Sequence, residues 1–251
     1  KFVQDALRTA ATKLAKAIEM VTGSLRNGGR LFYVGTGSSG RIGVLDASEI
    51  PPTFGASPDL VQGVIAGGVP ALYRSVEGAE DEESAGALAM REREIKNSDV
   101  VVGITASGRT PFVLGALAEA KSLGAKTILL TCNPLCSHGA VAGPGDGPEG
   151  RGHRSADLVI ALAVGPEVLT GSTRLKAGTA TKVALNIVST GAMVALGKVR
   201  GNVMIDLQTT NAKLRDRAVR VLADFAQCDY DSARRQLEAA DWNLRAVIEQ
   251  V

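Results

Sequence analysis

Three hydroxyl-rich stretches and two groups of carboxylates supply the residue types that can act on a small anionic ligand. "GTGSSG" (35–40) places Ser38 and Ser39 between an apolar run and a helical pattern. It matches G-x-G-x-x-G, the dinucleotide fingerprint, which also requires an acid at the end of the second strand for the ribose hydroxyls. Here the second apolar run ends in "IAGG" (65–68), with no acid. Two serine hydroxyls and the N–H groups of a helix start suit one phosphate monoester instead. "TASGRTP" (105–111) repeats the arrangement with Ser107, Gly108, Arg109 and Thr110. Ser107 and Thr110 also suit helix caps. The recurrence of such turns on adjacent strand ends favours phosphate.

A third junction, "GPEVLTGSTRLKAGTATK" (165–182), gathers Glu167, Thr170, Ser172, Thr173, Arg174 and Lys176. Its cations could complete a phosphate site or hold a carboxylate; alone, they would read as ordinary surface charges. Glu49 closes a helical pattern in "LDASEIPPTFG", just before two prolines. It is either a solvated helix end or half of an acid–base pair. "VEGAEDEE" (76–83) places Glu77 and Glu80 three apart within an acidic run that otherwise reads as a solvated helix start. One of the two can line a pocket while the rest face water.

These residues need a scaffold that brings loops together. Apolar runs at 30–35, 60–66, 99–105, 126–132 and 156–162 have the character of strands buried on both faces. Helical stretches near 39–49, 83–96 and 110–123 separate them. The alternation predicts an α/β fold with a doubly wound five-stranded parallel sheet flanked by helices. In such sheets the turns at adjacent strand ends converge on one crevice. Residues 2–25 show a helical period that stops at "RNGG", and 172–197 form a long apolar helical pattern. The expected division is an α/β domain over 1–211 and a small three-helix unit over 212–251. The latter would pack around Leu237, Trp242, Val247 and Ile248.

Composition narrows the partners. Lys+Arg number 28 against 26 Asp+Glu, and aromatics make up 4%. Neither a basic surface nor a set of stacking platforms for nucleic acid is present. No apolar run reaches the roughly 18 residues needed to span a bilayer, so a membrane role is not expected. Three cysteines without paired spacing fit a reducing, cytoplasmic setting. The first residue is Lys1 rather than Met, which fits a start within a longer gene product. The segment "LCSHGAVAGPGDGPEGRGHRS" (135–155) reads as a mobile loop. It holds Cys136 and both histidines, His138 and His153, but no established metal-ligand spacing, so no metal is expected.

In order along residues 30–214, "GTGSSGRIGVLDASEIPPTFG", "AGG", "VEGAED", "GITASGRTPF", "CNP", "GPEVLTGSTRLKAGTATK" and "STGAMVALGKVRGNVMIDLQTTNAKL" resemble the N-acetylmuramic acid 6-phosphate etherases. That family is built on the sugar isomerase domain, and the glucokinase regulatory proteins have similar loops. The resemblance implies a lyase that removes D-lactate from the C3 ether of N-acetylmuramic acid 6-phosphate and adds water, giving N-acetylglucosamine 6-phosphate. It implies no metal or nicotinamide cofactor. By motif, Glu49 aligns with the acid for the departing lactate and Glu80 with the base at C2. A helix C-terminus at Glu49 would favour its protonated form, and N–H donors at a helix start would favour ionised Glu80. Ile50 stands where the family often has Cys, and the segment 136–154 is longer than the family's usual linker.

The spacing of Glu49 raises a geometric question. A straight helix would place it roughly 15 Å from Ser39, at about 1.5 Å per residue. Either the chain folds back at the prolines, or Glu49 serves a neighbouring subunit's site. The second option predicts a homodimer with shared sites. The alternative function is a sugar-phosphate-sensing regulator, which would keep the phosphate turns and need no acid–base pair. An aldose–ketose isomerase is a weaker third reading.

Overall fold

The structure, a computed structural model, describes residues 1–135, 156–209 and 211–250. The expected loop with Cys136, His138 and His153 therefore lies outside the described residues. The described chain groups into two compact units. The first comprises Lys1–Ser48 with Asp59–Ala192, and the second Glu49–Pro58 with Met193–Val251.

The first unit is built on five parallel strands: β1 (Leu31–Gly35), β2 (Val61–Ile65), β3 (Val100–Ile104), β4 (Lys126–Thr131) and β5 (Leu158–Ala161). Their spatial order is β2-β1-β3-β4-β5. Alternate side chains leave the sheet on opposite faces, and both faces are covered. Phe32, Val34, Val101 and Leu129 join one buried cluster with Phe112, Val113 and Leu117 of α5 (Pro111–Ser122). Met90 of α4 (Glu83–Glu92) belongs to the same cluster. Tyr33, Val102, Ile128, Leu130 and Ile160 face the other way, towards Leu14 of α2 (Ala11–Arg26) and Leu185 of α6 (Lys176–Ala195). This is the expected doubly wound sheet.

Two polar fastenings hold the layers. At the base of β1 and β3, Asp99 is 1% exposed and accepts hydrogen bonds from Arg30 N and Nη2, both at 2.8 Å. On α3 (Gly37–Phe54), buried Asp46 accepts from Asn186 Nδ2 at 2.6 Å and Ser189 Oγ at 3.2 Å, both on α6. Burial, and then the Asp46 charge, hold the Tyr33 hydroxyl well above its usual pKa. These contacts tie together β1, α3 and α6.

Two helical expectations change. The pattern over 2–25 is two helices, α1 (Phe2–Thr9) and α2, joined at Ala10. A one-residue joint preserves the 3.6 period that made them look continuous. α3 does not stop at Glu49. It continues through Pro51 and Pro52 to Phe54, where Gly55 N bonds to Pro51 O at 2.9 Å. Folding back at the prolines is therefore excluded. Glu49 also lies five residues before the end of α3, beyond the last turn in which the C-terminal dipole acts. Glu49 is therefore not at a helix C-terminus, contrary to expectation.

The second unit contains a short antiparallel pair, β6 (Val199–Arg200) and β7 (Val203–Met204). Three helices follow: α7 (Ala212–Ala226), α8 (Tyr230–Ala239) and α9 (Leu244–Ile248). Each is capped by a side chain, Asn211, Asp229 and Asn243 respectively, which satisfies an orphan N–H of the first turn. Leu237, Val247 and Ile248 are in its core, with Trp242 packed against it. Asp206 links Lys198 and Arg245, with Lys198 Nζ at 3.0 Å and Arg245 Nη2 at 2.7 Å.

Candidate active site

The strand order places the site. β1 pairs with β2 on one side and β3 on the other, with Gly35 opposite Ile65 and Ile104. The chain reverses its winding at this point, and the turns after β1 and β3 open side by side. They border a cleft of about 380 Å³ in the first unit. Its walls include Ser38 and Ser39 from the first turn, and Ser107, Arg109 and Thr110 from the second. Glu80 lines it as well, from the turn that precedes α4.

The first turn is shaped by close backbone approach. A Cβ on Gly40 would come within 2.8 Å of Gly35 O, so the chain can double back here only without one. Ser38 and Ser39 occupy the first turn of α3, half-buried. Their hydroxyls have no hydrogen-bond partner among the described residues. Together with the N–H groups of the helix start, they can donate to an anion in the cleft.

The second turn is internally braced. Thr105, 3% exposed, contacts Thr110 Oγ1 at 2.7 Å and Ser107 Oγ at 3.3 Å through its own hydroxyl oxygen. Thr110 is the N-cap residue of α5, yet its side chain makes no capping bond. Its hydroxyl belongs to the Thr105 contact. Ser107 Oγ accepts from Arg109 N at 3.2 Å, which leaves its O–H available to donate. Gly108 is buried with φ +77°, and its N–H turns back to Thr105 O at 3.2 Å. Its part is to make the turn, a conformation suited to glycine, rather than to offer that N–H to a ligand.

Glu80 stands across from these turns. Thr36 Oγ1 donates to Glu80 Oε2 at 3.3 Å, and Phe112 N donates to Glu80 O at 3.1 Å. The carboxylate is exposed to the cleft with one hydroxyl donor rather than the N–H donors expected of a helix start. Glu77 lies in an adjoining lobe and accepts from Ser75 Oγ at 2.7 Å.

The third junction leads into α6, and Glu167 lines a neighbouring cavity together with Ser107 and Arg109. Glu167 accepts from Lys176 N at 3.0 Å and Ala177 N at 2.9 Å, capping α6. Lys176 Nζ sits over the Phe2 ring, 4.6 Å from its centroid, and does not line the cleft. Thr173, from the same junction, does. Thr36, Asp81 and Thr105 are further lining residues that sequence reading did not assign to the site. The variable position of G-x-G and the last residue of the "GIT" run were the available signals for the two threonines. Glu49 is exposed on α3 and belongs to the second unit.

Behind the second turn, Cys132 contacts Ala177 O at 3.8 Å. Burial pushes its thiol up to about 11, so it is a poor nucleophile at neutral pH. Among the described residues, no group of three or more His, Cys, Asp or Glu is placed to hold a metal ion.

The architecture is that of the sugar isomerase, or SIS, domain. It resembles the Escherichia coli CFT073 protein c3406, with a TM-score of 0.54 and 18% identity over 80% of this chain and 89% of that one. It also resembles the phosphoheptose isomerase GmhA from Neisseria gonorrhoeae, with a TM-score of 0.52 and 16% identity over 78% and 91%. A family model for the glucokinase regulatory protein N-terminal SIS domain matches residues 13–121. Sequence similarity is more specific. The N-acetylmuramic acid 6-phosphate etherase of Gloeobacter violaceus is 52% identical, over 98% of this chain and 76% of its own length. That of Symbiobacterium thermophilum is 51% identical, over 99% and 78%. This chain belongs to the N-acetylmuramic acid 6-phosphate etherase family.

Proposed function

We propose that this chain is a carbon–oxygen lyase acting on N-acetylmuramic acid 6-phosphate in the cytoplasm. The observation that carries the reading is Glu80 facing two hydroxyl-rich strand-to-helix turns in one cleft. The phosphate is held by Ser38, Ser39, Ser107 and Thr110, with Arg109 supplying positive charge. Gly108 shapes the turn. Glu167 supports the adjacent helix start, and the Lys176 ammonium sits over the Phe2 ring.

In the open-chain sugar, the C1 aldehyde acidifies the C2 proton. Glu80 removes it as general base. The C3–O bond then breaks, and the lactyl group leaves with the ether oxygen and a proton. Water adds at C3, and C2 takes a proton back. Each acid–base contribution is on the order of 10²–10⁴-fold. The acid for the departing lactate is Glu49, offered by the neighbouring subunit of a homodimer. The reaction requires no cofactor. The match to a glucokinase regulatory protein domain favours a sugar-phosphate-sensing regulator as the second reading. A base positioned in the cleft supports the enzyme.

Turnover in oxygen-18 water tests this. Elimination and hydration put the label on the sugar C3 hydroxyl and leave the released D-lactate unlabelled. Label in the lactate instead would mean cleavage on the lactyl side and overturn the mechanism. A folded chain that binds the sugar phosphate without releasing lactate would favour the regulator.

A further inference from the structure

Glu80 does not close the cleft; it stands between two lobes. Beyond it lies a second cavity of about 370 Å³, which shares Thr36, Gly37 and Glu80 with the first. None of its lining comes from the 105–111 turn. It is therefore the lobe away from that phosphate-holding turn, on the far side of the base. Its polar wall includes Arg74, whose guanidinium forms no ion pair among the described residues.

The segment carrying Arg74 is fixed. Arg41 Nε donates to Ala71 O at 2.9 Å and Leu72 O at 3.1 Å, and Arg41 Nη2 donates to Arg74 O at 3.0 Å. Arg41 thereby anchors this stretch to α3 and uses its donors on backbone carbonyls. The Arg74 guanidinium takes part in none of these bonds.

We propose that this lobe receives the lactyl arm, and that Arg74 binds its carboxylate and selects for it. The inference rests on the etherase reading and deepens it. The substrate has a phosphate at one end and a carboxylate on the C3 substituent. With the phosphate in the first lobe and Glu80 at C2, the neighbouring C3 substituent projects beyond Glu80. A carboxylate arriving there meets Glu77 as well as Glu80, two like charges. A planar guanidinium offsets that repulsion and can grip both carboxylate oxygens.

Equilibrium binding tests the assignment in a Glu80→Gln background, where turnover does not interfere. Two probes are compared: N-acetylmuramic acid 6-phosphate and N-acetylglucosamine 6-phosphate, the same sugar phosphate without the lactyl group. Adding Arg74→Met weakens the first by about 10–100-fold, the range expected for hydrogen bonds to a charged group. The second changes by less than about 2-fold, and Arg74→Lys retains part of the preference. Equal losses for both probes, or no loss for the first, would overturn the proposal. D-lactate release by the unsubstituted chain is scored separately. Its absence would sink the etherase reading, while the binding comparison still decides the role of Arg74.

Discussion

Thr36 Oγ1 lies 3.3 Å from Glu80 Oε2, and this contact joins the end of β1 to the acidic turn ahead of α4. It brings a carboxylate to the edge of the sheet where the two hydroxyl-rich turns open. The hydroxyl donates to the carboxylate and so fixes its position at the cleft.

The first prediction concerns that pair. Glu80→Gln keeps the size of the side chain and removes the base, so lactate release should fall by about 10²–10⁴-fold. Exchange of the C2 proton with solvent deuterium should be lost with it. Thr36→Val should lower kcat by about 10-fold, from loss of one charge-assisted hydrogen bond, and leave the fold intact by circular dichroism. Continued exchange in Glu80→Gln would place the base elsewhere.

Ser107 has two duties that can be separated. Its oxygen accepts from Arg109 N, and its O–H is directed to the phosphate in the proposed mechanism. Ser107→Ala should raise KM by an amount corresponding to about 1–3 kcal/mol of binding. Steady-state kinetics with a parallel thermal melt distinguish the duties. A lowered melting temperature with an unchanged KM would reduce Ser107 to a turn-forming residue.

The proposed sharing of sites between subunits makes a complementation prediction. Glu49→Gln and Glu80→Gln chains should each be inactive alone. After random mixing of subunits, about a quarter of the sites carry both carboxylates, because one site of each mixed dimer is intact. Activity should return to about that fraction. No recovery in dimers shown to have exchanged would assign both residues to one chain's site, or remove Glu49 from the mechanism.

Asp206 gives the second unit an acid-sensitive joint. Burial raises its pKa, but hydrogen bonds from Arg245 and Lys198 outweigh that and hold it below the usual carboxylate range. A folded-state pKa below the unfolded value of about 3.9 contributes stability above that pH. The contribution is lost as pH falls through the folded value. Asp206→Asn should therefore destabilise the chain at pH 7, by about 1–3 kcal/mol. The difference from the unsubstituted chain should narrow below about pH 4. Urea titrations at pH 7 and pH 3 check this, and a gap that widens in acid would contradict it.

The sheet was legible because parallel strands buried on both faces leave continuous apolar runs, and glycine turns end several of them. The two hydroxyl-rich turns at the cleft were legible because serine and threonine cluster just where apolar runs stop. Other features depended on neighbours far away in sequence. Pro51 and Pro52 looked like a stop, yet α3 absorbs both and carries on to Phe54. Nothing local in sequence showed that the long side chain of Lys176 reaches the ring of Phe2. Thr105, at the end of a strand-like run, gave no sign that its hydroxyl would brace Ser107 and Thr110. The Asp46 contacts span 140 residues or more, beyond the reach of local pattern.

Etherase chemistry is tested most directly by incubating the chain with N-acetylmuramic acid 6-phosphate in deuterium oxide. Two products are followed, D-lactate by enzymatic assay and the sugar phosphate by mass and proton spectra. Equal amounts of D-lactate and N-acetylglucosamine 6-phosphate are expected, with solvent deuterium at C2 of the sugar. Lactate released with the original C2 proton retained, or no lactate from folded chain that binds the substrate, would contradict it.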